Sequence, residues 1–388
     1  MRARSIPILF TLLLSNLLAG CGDNRPVVPD GPPSPTTIGI TTDQTPALVA
    51  FRDGLDAPWQ PAMERTSTSS TWFEADVHGP YVVTVVCTDP EDPAGRSRTW
   101  QFARTPDDAH HLSLTCDLPP IAHRITGRMT QPGHVYLGAS SDTSPGATEW
   151  DFQLSAPSGS YVLIATTDDR IAVRRTVVAD RDLGVPDIDV TLEGTKLVDA
   201  AFTASTAEGE TLEASVDLLT STPPLPGRVY LGPAATAKTL DNSALQGDTQ
   251  LVTVRATSGT ARRELRRSFR VGYGTEYTLP QPLGGVQWPE PGPLSASWTT
   301  LPQLDSLDLS ASSSAADGTT VVQHNLDMTP LFLGETGIQQ IAIDTDIPNY
   351  DAAWKIDFTR PYTRELTAKR TVNDDLATSS VTETVNAP

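Results

Sequence analysis

Asp344, Asp346, Asn349 and Asp351 fall within eight positions near the C-terminal end of the chain. Carboxylate and amide oxygens this close on a turn are the hard donors that Ca²⁺ takes. The stretch lacks the Gly and the terminal Glu of an EF-hand loop, and Ile347-Pro348 interrupts it. A Ca²⁺ site there therefore competes with an ordinary acidic loop, and no other cofactor is indicated. A second cluster is basic: Arg255, Arg262, Arg263, Arg266, Arg267 and Arg270 share sixteen positions with Glu264 as their single acid. Guanidinium forks hold phosphate and carboxylate bidentately, so Arg262, Arg263, Arg266 and Arg270 are candidate contacts for an anionic partner. The competing reading is a solvated strand face. Trp59 and Trp288 lie beside Pro- and Gly-containing turns, where an exposed ring could stack on a sugar. Buried rings are the alternative, as expected for Trp72, Trp150, Trp298 and Trp354. Hydrolytic chemistry finds little support. The six histidines are scattered, no Gly-x-Ser-x-Gly elbow occurs, and Asp142-Thr143-Ser144 sits in a turn before Pro145-Gly146. The chain is expected to be non-catalytic.

These residues belong to 388 amino acids with a formal net charge of −19, 38% hydrophobic and 6% aromatic. So acidic a chain is a poor phosphate neutraliser, and nucleic acid is excluded as an expected partner. Gly (27) and Pro (33) stay below low-complexity levels. At the N-terminus, Arg2 and Arg4 precede an apolar run from Ile6 to Leu18 that is too short to span a bilayer but suits an export signal. It ends in Leu18-Ala19-Gly20-Cys21, which resembles the bacterial lipobox. That resemblance implies cleavage before Cys21 and lipidation of Cys21. The mature chain would then be held on a membrane by its acyl chains without crossing it. Gly22, in place of an Asp, implies the outer membrane by the same resemblance, with the protein periplasmic or surface-exposed. Outside the cytoplasm the two remaining thiols, Cys87 and Cys116, are expected to pair. Each ends a strand-like run.

The elements that must position these groups read as strands. Trp354 to Thr359, Asp187 to Leu192 and Ser268 to Val271 alternate apolar with polar residues, the pattern of a half-buried strand. Helical periodicity is scarce, and the many Gly, Pro, Asp and Ser turns suit β-sandwiches. Pro132-Gly133-His134-Val135-Tyr136-Leu137-Gly138 recurs as Pro226-Gly227-Arg228-Val229-Tyr230-Leu231-Gly232, an internal repeat. Phe152 to Ala165 is similar to transthyretin-like, carboxypeptidase-regulatory sandwiches through its Pro157-Ser158-Gly159-Ser160-Tyr161-Val162 run. Trp298-Thr299-Thr300-Leu301-Pro302 with Leu307-Asp308-Leu309 resembles the core-Trp strand of fibronectin type III modules. Both resemblances imply spacer or binding modules and no catalytic residue.

The expected fold is all-β, a row of small sandwiches behind a signal peptide (1–20) and a lipidated, Pro-rich spacer (21–37). The modules are 38–118, with the disulfide; 119–194, transthyretin-like; 195–286, its relative; and 287–388. The expected function is display, adhesion or scaffolding on the envelope, toward a protein or a glycan. A glycan-binding accessory lipoprotein is the alternative, and an envelope hydrolase ranks third.

Overall fold

The computed structural model describes residues 35–67, 71–144, 146, 148–189, 195–221, 224–240, 248–269, 274–288, 294–315 and 320–386, with 172–174 as backbone only. Cys21, the 1–20 leader and Arg270 lie outside the described residues.

The chain is all-β. Among the described residues a single α-helix, Pro330–Thr336, accompanies the strands. Its Thr329 side chain accepts from the Phe332 N–H, and Gly337 closes it in the left-handed region at φ 62°.

One sheet organises most of the fold. Its twelve strands run in the order Pro226–Pro233, Thr211–Leu219, Thr249–Ser258, Ala261–Phe269, Asp375–Val385, Tyr362–Val372, Ser306–Ser314, Thr320–Met328, Ser97–Arg104, Tyr81–Thr88, Leu48–Asp53 and Gln60–Pro61. Strands from the 38–118, 195–286 and 287–388 segments thus share a single ladder. Two pairings make the joins. Ala261–Phe269 pairs antiparallel with Asp375–Val385, with Leu265 opposite Ala377. Thr320–Met328 pairs parallel with Ser97–Arg104, with Asn325 opposite Trp100.

The period-2 alternation decides what each face does. In Tyr81–Thr88 the apolar run is continuous, and the first seven residues are buried. Both faces of that strand are covered, as a run without alternation requires. Val82 enters the core shared with Leu307, Leu309, Trp298 and Phe332, whereas Val83 and Val85 enter the core of Ile38, Ile40, Phe73 and Val77. The second of these cores is closed from above by a four-stranded sheet that includes Thr36–Thr42 and Thr71–Val77. Cys87 and Cys116 lie within it, 1% and 5% exposed, and form the expected disulfide.

The described residues between 119 and 189 build a separate core around Ile125, Phe152, Leu154 and Leu163. There Trp150–Pro157 pairs with Ala122–Met129, while Gly133–Leu137 pairs with Gly159–Thr166. The repeat now has a physical reason. A Cβ on Gly133 would collide with the Thr166 carbonyl oxygen, and one on Gly227 would stand 2.8 Å from Ile164 Cδ1. Both copies therefore press a glycine onto the same strand, Gly159–Thr166, where a side chain has no room.

Candidate functional site

A cleft lies over the buried face of Thr320–Met328. That strand alternates strictly, and its inward row is Val322, His324, Leu326 and Met328. One imidazole thus occupies a position that the pattern assigns to an apolar side chain. The short pair Leu294–Ser297 and Gln340–Ile343 lies beside it and supplies Leu294, Ile341 and Ile343. The cleft measures about 620 Å³, and its lining combines these with Leu55, Ile338, Ile356 and Phe358 and a charged set of Arg52, Asp56, Asp344, Asp346 and Lys355.

His324 is fully buried. Its Nε2 stands 2.6 Å from the Trp354 carbonyl oxygen and 3.2 Å from the Tyr350 hydroxyl. A carbonyl only accepts, so Nε2 carries the proton and donates it. The 3₁₀ turn Ala352–Trp354 delivers that carbonyl, with the Asp351 side chain capping it through the Ala353 N–H at 2.9 Å. Nδ1 is left as a buried acceptor with no partner among the described residues. Burial holds the imidazole down at about 4, so it is neutral at physiological pH. The cleft therefore presents mixed apolar and charged side chains, with a neutral, buried imidazole among them.

The same burial makes a prediction. The folded-state pKa lies below the ordinary value of 6.5, so between the two the unfolded chain binds the extra proton. This contribution is complete above pH 6.5 and is lost as pH falls toward 4, amounting to as much as about 3 kcal/mol. Urea melts across that window should show a steeper loss of stability in the wild type than in His324→Leu; parallel curves would contradict the assignment.

The four residues considered for Ca²⁺ are not brought together as a ligand set. Asp344 accepts from Trp59 Nε1 at 2.8 Å and pairs with Arg52 Nη1 at 3.2 Å. Its backbone is clamped by the Gln101 amide, which donates to the carbonyl at 2.5 Å and accepts from the N–H at 3.2 Å. Asp351 caps the 3₁₀ turn, and Asn349 takes the left-handed conformation, φ 65°, needed after Ile347-Pro348. Among the described residues no group of three or more His, Cys, Asp or Glu side chains could hold a metal ion. The acidic spacing arises from turn and capping chemistry.

The arginine cluster divides for a similar reason. Arg263 has the same strand parity as Leu265 and is buried, with Nε 2.9 Å from Glu210 Oε1 and Nη1 3.0 Å from the Pro280 carbonyl oxygen. It cannot meet an external anion. Arg262 and Arg255 both donate to Glu264, at 2.9 and 3.2 Å from Nε. Burial raises the Glu264 pKa, but these two cations outweigh it and hold the carboxyl below its ordinary value. Arg267 pairs with Asp375 at 2.7 Å and covers the Tyr277 ring. Arg266 is exposed on the outer face near Asp217.

Trp59 and Trp288 are half-buried and pack against the same core. The Arg52 guanidinium lies 4.9 Å from the Trp59 ring centre, and that of Arg364 lies 4.9 Å from the Trp288 ring centre. Each ring thus seats an arginine on the core rather than standing clear as a platform. The missed residue was His324. Its signal, a histidine on the apolar beat of Val322-x-His324-x-Leu326-x-Met328, is plain in the sequence.

No protein-family model matches the chain, and no curated protein matches it.

Proposed function

We propose that this protein is a non-catalytic lipoprotein, anchored to the outer membrane through acyl chains on Cys21, that displays a β-framework to an envelope partner. The observation that supports it most is the twelve-stranded sheet, which joins strands from residues 48–104, 211–269 and 306–385 in one hydrogen-bonded ladder. A ladder joined at both ends of the sequence, with a disulfide in one of its cores, holds surface groups at fixed separations. That is what display or scaffolding requires. No described helix is long and apolar enough to cross a membrane, so in this reading attachment falls to the lipobox.

Metabolic labelling with a clickable fatty acid tests the anchor. The wild type is expected to carry the label and to sediment with membranes. Cys21→Ala should lose the label entirely and appear in the soluble fraction. Equal labelling of the two would refute the anchor, and turnover of any envelope polymer by the purified protein would refute the non-catalytic reading.

A further inference from the structure

Over Ser306–Ser314, Thr320–Met328 and Tyr362–Val372 the twelve-stranded sheet has a face that the apolar cores leave open, bounded on one side by Trp100 and Phe102, which pack against the core of Ile38 and Phe73. On its central strands the core residues sit at alternate positions: Leu307 and Leu309, Leu326, Leu366 and Ala368. The residues between them point the other way, and the pairing aligns them in rows across the strands. One row reads Trp100, Asn325, Ser310, Glu365 and Thr382; the next reads Phe102, Asp327, Asp308, Thr367, Ser380 and Arg262. A groove of about 300 Å³ runs along these rows.

The chemistry of this groove is specific. Trp100 Nε1 and Asn325 Nδ2 are buried donors with no partner among the described residues. They require acceptor oxygens. Beside them Glu365 and Asp308 are carboxylates, which accept hydrogen bonds from hydroxyls. The groove's cations are already neutralised within it. Lys369 Nζ lies 2.7 Å from Asp308 Oδ2, and Arg262 is held by Glu264. A polyanion would meet no uncommitted cation there and would face the Glu365 carboxylate. A peptide strand would find no backbone edge to pair with, because this is a sheet face. A ligand that both donates and accepts through many groups, carries no charge and spans several strands fits every term.

We propose that this open face binds a neutral oligosaccharide, its hydroxyls accepting from Trp100 and Asn325 and donating to Glu365 and Asp308. The inference deepens the display reading by naming the partner class, and rests on it only for the face being presented to the envelope. It also moves the glycan contact from Trp59 and Trp288 to a different part of the fold.

The test uses the full chain purified in detergent, so that its result is independent of the anchor. Isothermal titration is run against neutral hexasaccharides built from glucose (α- and β-linked), mannose and N-acetylglucosamine, with a hexagalacturonate as the anionic probe. At least one neutral hexamer is expected to bind. Asn325→Leu, Trp100→Phe and Glu365→Gln should each weaken it at least tenfold, while Trp59→Phe leaves it unchanged. Glu365→Gln removes a charge at nearly constant shape, so it keeps the comparison valid if Asn325→Leu or Trp100→Phe melts early. Binding to none of the neutral hexamers, binding to hexagalacturonate alone, or affinity unchanged in the groove variants would each overturn the proposal. A failed titration with intact fatty-acid labelling of Cys21 would leave the display reading standing.

Discussion

Removing the Cys87–Cys116 bridge is expected to destabilise the protein by about 3–4 kcal/mol. The two cysteines are 29 positions apart. In the chain-entropy view a loop of that length, closed in the unfolded chain, removes enough disorder to account for the figure. Both sulfurs also lie in the core of Ile38, Val83 and Phe73, where deleting them leaves a void. The comparison is urea unfolding of the wild type against Cys87→Ala/Cys116→Ala, followed by tryptophan fluorescence. A lower midpoint, with a slope that rises because the unfolded chain is freed to expand, is the expected result. Equal midpoints would show that the four-stranded sheet over this core holds without its covalent tie.

The second large effect concerns Arg263 and Glu210, whose side chains are only 10% and 9% exposed. Deleting one partner of such a pair strands the other charge away from water, at a typical cost of about 3–5 kcal/mol. Arg263→Met should therefore unfold far more readily than the wild type, and it also removes the donor to the Pro280 carbonyl oxygen. The double variant Arg263→Met/Glu210→Leu should recover much of the loss, because neither buried charge remains. A double variant as unstable as the single one would show that packing rather than charge is decisive. The hydrogen bond from Arg263 holds the Glu210 carboxyl below its ordinary value despite its burial. Its contribution is therefore full above the unfolded-state pKa and declines as pH falls through the folded one. Arg263→Met should lose that acid-side slope.

Much of this was legible in the residues, and where it was not the reason is physical. Alternation in Ser306–Ser314 identifies a strand and its buried face directly, whereas the alternating Trp354 to Thr359 forms no strand, because the 3₁₀ turn Ala352–Trp354 runs into it and turns follow. The continuous run Tyr81 to Cys87 marks a strand covered on both sides. The repeated Pro-Gly-x-Val-Tyr-Leu-Gly points to a close approach without saying to what. Charge density along the sequence counts Arg263 among the candidate anion contacts. Strand parity with Leu265 places it inside, and the acid that compensates it is 53 positions upstream. The open polar face could not be read in advance. It is assembled by pairings such as Asn325 with Trp100, and no local pattern encodes which strand becomes whose neighbour.

The parallel pairing of Ser97–Arg104 with Thr320–Met328 also bears on how the polypeptide matures. The earlier strand stays without that neighbour until more than two hundred further residues have been made. Its outer hydrogen-bonding groups are therefore an unprotected edge throughout chain emergence. Assembly is then set late, by arrival of the C-terminal hairpins. Any truncation that omits them leaves a ready template for association between nascent copies.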